Sequence, residues 1–237
     1  MRALDIGAAA DLVLGEAACG RVLAVHRKAV YLRLPGGLCA LTSRLAPPGP
    51  LHLRLEALPH CHPGDRVRTD GRTVRGAGWS VSLTARRWFG TTPPAAMLAA
   101  AINPAQVPQE AARLGGRGPG LTPAGDDVLA GLLLVARARA GIDSEPALLA
   151  AVSAVRTGDI AAGFLTWAAR GQCIAPAHDV LHALVRHGAD ATVPACARLA
   201  AIGASSGTAL LAGIRAGLAW NGDRPRADLS TIINTNL

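Results

Sequence analysis

The feature that most constrains this chain is a change of hydrophobic period at "TTPP" (91–94). Before it the sequence alternates and turns often. "RVLAVHR", "AVYLRL", "LHLRLE", "DRVRTD" and "GWSVSLTARRW" are short alternating or β-branched segments, the pattern of half-buried strands. "PGG", "APPGP", "HPGD" and "DGR" separate them with turn chemistry. In "SVSLTARRW", Val81, Leu83, Ala85 and Arg87 share one face while Ser80, Ser82 and Thr84 share the other. After "TTPP" the chain becomes Ala/Leu-rich at helical spacing, and helices are expected near 94–102, 105–114, 124–140, 144–156, 159–170, 177–187, 192–202 and 206–220. A period of two followed by a period of 3.6 predicts an α+β protein. The expected architecture is a small antiparallel β barrel or sandwich over 1–92, followed by an all-helical domain over 93–237.

Composition narrows the function classes. Half of the 237 residues are apolar and 17% are charged, which excludes a disordered chain. The longest strongly apolar run, Val128 to Ala136, ends at Arg137, and Ser205, Ser206 and Thr208 interrupt the stretch from Leu199 to Ile214. Neither reaches the roughly 20 residues of a membrane span. Asp5 and Asp11 break up the opening segment, so it does not read as a signal peptide, and a cytoplasmic protein without membrane partners is expected. The net charge of +8 is almost wholly arginine, Lys28 being the one lysine. The basic residues form no run of four and aromatic residues are few, so small anions are expected as ligands rather than nucleic acid. The cysteines Cys19, Cys39, Cys61, Cys173 and Cys196 spell out no zinc or redox pair and are expected to be free thiols.

The chemistry concentrates in "GGRGPGLTPAGDD" (115–127), where a glycine-rich loop runs into the apolar "VLAGLLLVA". Thr122 with Pro123 reads as a capped helix start. Asp126 and Asp127 fall in the first turn, where the helix dipole favours carboxylates. The cap alone leaves "GGRGPG" without a reason. Its glycines permit backbone amides to face a ligand closely, and a helix N-terminus beside such a loop is an anion site. Two carboxylates there would repel an anion, and a Mg²⁺ ion bridging Asp126, Asp127 and the substrate is the simplest resolution. Neither a Walker A loop nor a dinucleotide fingerprint is spelled.

An internal repeat accompanies this loop. "GDDVLAGLL" (125–133) aligns without gaps to "GTALLAGIR" (207–215), with a weaker echo in "GDIAAGF" (158–164). Close helix packing explains the Ala-Gly pairs, and two helix N-termini facing one site across a pseudo-twofold axis is the sharper alternative. His178 and His182, four apart on one helix face, read as packed or solvated, and His60, Cys61 and His62 read as a loop. One of Ser205 and Ser206 is expected to cap the last helix.

"GRGPGLTPAGDDVLAGLL" resembles a bacterial family of unassigned domains with a GxGPGLTPxGDD signature, which includes the AllH-type subunit of oxamate carbamoyltransferase. "RTGDIAAGFLTWAARGQCIAPAHDVLHAL", "IGASSGTALLAGIRAGL" and the opening "GRVLAVHRKAVYLRLPGGLCAL" resemble further blocks of it. The resemblance implies a multi-subunit enzyme of ureide (purine and allantoin) catabolism that exchanges a carbamoyl group among oxalurate, oxamate and carbamoyl phosphate. Its implied partners are an acyl-CoA-synthetase-like subunit and a further subunit. On this reading Gly116, Arg117, Gly118 and Gly120 hold phosphate or carboxylate, and Asp126 and Asp127 hold Mg²⁺ or the carbamoyl NH₂. Catalysis is expected from Asp126, Asp127 and Arg117, with Thr122, Gly125, Ser205, Ser206 and Gly207 completing the substrate site. Members often carry histidine and aspartate where this chain has Ala204 and Ala209, which points to an altered substrate or reduced activity. A non-catalytic carboxylate-binding or assembly subunit is the alternative function, and a metal-dependent amidohydrolase the third.

Overall fold

The structure, a computed structural model, describes residues 1–98 and 106–220, with side chains given throughout except at 187–191. The chain divides into two compact units, Met1–Phe89 and Gly90–Leu237.

The first unit is one nine-stranded sheet. Its strands are β1 (Ala3–Gly7), β2 (Ala17–His26), β3 (Ala29–Leu34), β4 (Gly37–Ser43), β5 (His52–Leu55), β6 (Arg66–Asp70), β7 (Thr73–Gly76), β8 (Trp79–Ser82) and β9 (Arg86–Trp88), in the order β8-β7-β6-β2-β3-β4-β5-β1-β9. The sheet is mixed rather than antiparallel throughout, because β4 pairs with β5 and β1 with β9 in parallel. β8 and β9 stand at its two edges, so the strands form an open curled sheet and not a hydrogen-bonded closed barrel. Alternation does its expected work locally. Val30, Leu32 and Leu34 of β3 and Val67 and Thr69 of β6 point to the core, while Arg33, Arg66 and Arg68 point away. A seven-residue helix α1 (Ala8–Leu14), absent from the sequence-based expectation, follows β1 and supplies Ala10, Val13 and Leu14 to the same core. Its first-turn amides, Ala9 and Ala10, donate to the Pro50 carbonyl, so a distant loop supplies the acceptor its orphan donors need. Arg54 ties β5 to β1, its Nε donating to both Asp5 carboxylate oxygens (3.0 and 3.1 Å) and its second terminal nitrogen lying 2.9 Å from one of them.

The second unit is helical: α2 (Val107–Leu114), α3 (Ala124–Ala140), α4 (Glu145–Ser153), α5 (Asp159–Ala169), α6 (Ala175–Ala200) and α7 (Ser206–Ala219), with 3-10 turns at Ala95–Met97 and Ile142–Ser144. Of the helix expected over 94–102, the described part holds only the 3-10 turn Ala95–Met97, with Leu98 extended, and 99–102 lie outside the described residues. The helices expected over 177–187 and 192–202 are one, α6, which runs through Pro194. α3 is buried on nearly all sides and is packed by α2, α5 and α7, which is why its sequence carries almost no amphipathic stripe. No helix of the described residues is long and apolar enough to cross a membrane.

α3 and α7 lie side by side and parallel. A methyl group added at Gly131 would come 2.2 Å from the Leu210 carbonyl oxygen, and one at Gly213 would come 1.9 Å from that of Val128. Gly131 and Gly213 are equivalent in the repeat, as are Val128 and Leu210, so the contact is reciprocal in the manner of a twofold interface. At the far end Arg139 of α3 donates to the Gly217 and Leu218 carbonyls of α7 (2.6 and 3.1 Å), satisfying orphan groups of that terminus. The N-termini of both helices therefore open at the same end.

Candidate functional site

That shared end carries the glycine-rich loop. Gly116, Gly118 and Gly120 all hold positive φ (71°, 112° and 96°), where a side chain is strained. Their neighbourhoods differ. A Cβ at Gly116 would meet the Arg156 carbonyl oxygen at 2.3 Å and one at Gly118 the Ala124 amide at 3.0 Å, whereas Gly120 faces open space. The Arg117 backbone is structural, its N–H donating to Leu114 (3.2 Å) and its carbonyl accepting from Gly125 (2.8 Å). Its side chain is exposed.

The helix start differs from a capped threonine. Pro123 is the N-cap of α3, and its carbonyl accepts from the Asp126 and Asp127 amides (2.9 and 3.1 Å). The Thr122 hydroxyl instead meets Ser206 Oγ at 3.2 Å. Ser205 is the N-cap of α7 through its carbonyl, which accepts from Ala209, and no serine side chain caps that helix. Thr122 and Ser206 thus join the two halves of the repeat at one point.

The two adjacent aspartates diverge. Asp126 is buried, 2% exposed. Its Oδ1 accepts from the Gly116 amide (2.8 Å) and its Oδ2 from the Thr157 hydroxyl (2.5 Å). It therefore fastens the loop to the lead-in of α5. Asp127 lies beside Ser206 and Thr122, and burial raises its pKa to about 7 against the opposing pull of those hydroxyls, with Asp126 adding to the rise. Its Oδ2 is shut off from solvent without a hydrogen-bond partner.

This geometry does not fit a Mg²⁺ ion held jointly by the pair. Both oxygens of Asp126 are engaged within the protein, and among the described residues no three His, Cys, Asp or Glu side chains gather around a possible ion. Mg²⁺ takes one or two carboxylates together with substrate oxygens and water, and the pair leaves only Asp127 free for that role. What the arrangement offers instead is a carboxyl group that exchanges a proton near neutrality. Protonated, the Asp127 carboxyl can donate a hydrogen bond, and ionised it can only accept one.

The starting glycines of both helices have a packing reason. A Cβ at Gly125 would lie 2.1 Å from the Leu114 carbonyl oxygen, and one at Gly207 2.0 Å from that of Leu199. Each permits its helix to cross the last turn of the preceding one, so neither glycine requires a ligand. Thr157 was not a candidate from sequence. Its signal is the weak third echo, since it immediately precedes Gly158 of "GDIAAGF". Ala209 is buried and Ala204 exposed.

The other titratable candidates are structural. The His178 ring accepts from the Cys173 amide at Nε2 (3.1 Å) and donates from Nδ1 to the Thr91 carbonyl (2.9 Å). Burial lowers its pKa to about 4, so it stays neutral. His182 contacts the same carbonyl (2.8 Å). His60 and His62 stack edge to face in a loop, where the His62 amide donates to Asp65. All five cysteines are free thiols, and burial pushes Cys39 and Cys173 up to about 12, which removes them as nucleophiles.

Residues 114–218 match a family model described as oxamate carbamoyltransferase subunit AllH. The matched stretch runs from the end of α2 to the end of α7 and leaves the whole sheet unit outside it. No curated protein and no solved structure matches the chain.

Proposed function

We propose that this chain is a subunit of an oxamate-type carbamoyltransferase and that it binds a small planar anion where the 116–123 loop meets the N-termini of α3 and α7. The observation that carries the reading is the convergence of Asp127, Thr122 and Ser206 inside the family-matched stretch. Oxamate, oxalurate and carbamoyl phosphate each present a carboxylate or phosphate next to a carbonyl and an amide nitrogen. The amides around Gly118 and Gly120, with the Arg117 side chain, receive the anionic end. Asp127 addresses the oxamate amide nitrogen, the one that loses or receives the carbamoyl group.

In the direction that consumes oxalurate, a phosphate oxygen attacks the ureido carbonyl, and the carbon–nitrogen bond to oxamate breaks. The leaving nitrogen takes a proton, and the Asp127 carboxyl, half protonated near neutrality, supplies it. In the reverse direction the carboxylate takes that proton from the attacking oxamate amide. Asp126 acts through the loop and is a positioning residue. Gly125 and Gly207 serve packing alone. An acyl-CoA-synthetase-like subunit and a further subunit complete the assembly, and no step above needs a metal ion.

A second reading is a binding or assembly subunit without turnover. It is favoured by Ala204 and Ala209, which leave the α7 side of the junction with hydroxyl groups alone. The two are separated by assaying the chain by itself and with its partner subunits, using carbamoyl phosphate and oxamate. Turnover that disappears in Asp127→Asn with the fold intact supports the catalytic reading. Full turnover in that variant removes Asp127 from the chemistry. Oxamate binding without turnover in every mixture establishes the second reading.

A further inference from the structure

The sheet unit carries a feature that the helical junction does not use. Residues 1–89 hold thirteen basic side chains against six acidic ones, a net +7 of the chain's +8. Five of the arginines share one face of adjoining strands. Arg33, Arg21 and Arg66 stand directly opposite one another across β3, β2 and β6. Arg68, two residues beyond Arg66, stands opposite Arg75 of β7. Like charges directly paired across strands destabilise a sheet, and here the pairing is repeated three times. Asp70 on the same face engages Arg75 (2.7 Å). Among the described residues Arg21, Arg66 and Arg68 form no ion pair, and all three are exposed.

These arginines line a cleft of about 1010 Å³ within this unit. With strands spaced about 4.8 Å apart and same-face residues about 7 Å apart, the charges on these four strands fall within a rectangle of roughly 14 by 7 Å. That is the reach of a short chain of phosphates and is too compact for a track along a nucleic-acid backbone. No aromatic ring lines the cleft, so it lacks the stacking platform that single strands use. Guanidinium groups match phosphate oxygens two at a time, and a polyanion lying across the rows would relieve the cross-strand repulsion.

We propose that this cleft binds a small polyanion of two or three linked phosphates, free or as the phosphate tail of a nucleotide. The proposal is independent of the carbamoyl-transfer reading, since every residue in it belongs to the sheet unit.

The test uses the full chain and inorganic tripolyphosphate in low salt, by calorimetry. Binding is expected, with affinity falling steeply as salt rises. The double variant Arg21→Ser/Arg66→Ser should lose about 30-fold or more in affinity, the scale of two charge-assisted phosphate contacts. The same variant without ligand should melt at a higher temperature than wild type, because it relieves repulsion, whereas loss of a merely structural role would lower it. Arg27→Ser/Lys28→Ser, an equal charge change outside the cleft, should lose about threefold or less. Cys19, an exposed thiol lining the cleft, should react more slowly with a thiol reagent when tripolyphosphate is bound. ATP binding as tightly as tripolyphosphate identifies the phosphate chain as the whole determinant, and tighter ATP binding identifies a nucleotide as its source. The proposal is overturned by absence of tripolyphosphate binding, by equal loss in the two double variants, or by an oligo-dT strand that outcompetes tripolyphosphate.

Discussion

The two helix junctions of the helical unit, α2 into α3 and α6 into α7, are built on one frame and differ in chemistry. In both, a glycine at the helix start passes under a carbonyl in the last turn of the preceding helix, Leu114 for Gly125 and Leu199 for Gly207. In both, a second glycine lies against the other helix, so that the close contacts are exchanged between Gly131 and Leu210 and between Gly213 and Val128. The positions occupied by Asp126 and Asp127 in the first junction are Thr208 and Ala209 in the second. The glycine pattern therefore reports packing, Asp126 reports the fastening of the loop, and Asp127 is what neither of these requires.

The largest effects should come from breaking the shared frame. Gly131→Ala and Gly213→Ala each drive a methyl group into a backbone carbonyl, and each should cost about 3 kcal/mol or more in urea denaturation. Reciprocity predicts similar losses for the two, and a double variant less harmful than their sum, because the first substitution already separates the helices. A well-tolerated substitution at either position would break the twofold description.

Next is Asp126→Ala, which strips the Gly116 amide and the Thr157 hydroxyl of their shared acceptor. A loss of about 2–3 kcal/mol is expected, together with faster amide exchange across 116–123. Unchanged protection of that loop would remove Asp126 as its fastener.

Asp127 should show the opposite sign. Its folded pKa, about 7, lies above the ordinary carboxyl value of 3.8, so between these the folded state binds more protons than the unfolded one. Stability then falls as pH rises from about 4 to about 7, by about 2 kcal/mol once partial solvent screening is allowed for. Asp127→Asn should flatten that slope and be more stable than wild type at pH 8. An unaltered slope in the variant would move the titration to another group.

The smallest effect concerns the bridge between the junctions. Thr122→Val and Ser206→Ala should each cost about 1 kcal/mol or less, with a coupling of about 0.5 kcal/mol in a double-mutant cycle. Zero coupling would mean that the hydroxyl contact (3.2 Å) does not link the two halves.

Much of this was legible in the residues. The switch of period at 91–94, the span of α3 at 124–140 and the repeat between 125–133 and 207–215 follow from local spacing, because side-chain periodicity is a property of a few consecutive residues. The parallel pairs β4/β5 and β1/β9 were not, since alternation tells which face a residue takes and says nothing of strand direction. α1 was hidden because the acceptor for its first-turn amides is the Pro50 carbonyl, some forty residues away. α6 read as two helices because Gly188 is a local helix-stop signal, yet the helix continues through it and through Pro194.

The candidate site divides along the same line. By itself the sequence determined that a loop with glycines at alternate positions enters a helix whose first turn holds two acids. The tertiary structure alone decided that these neighbours do different work. One turns toward Gly116 and Thr157 and becomes a strut, while the other turns toward Ser206, a residue 79 positions on, and is left half protonated near neutrality. A carboxyl group's charge depends on burial and on the donors that reach it, and both are supplied by parts of the chain far away in sequence.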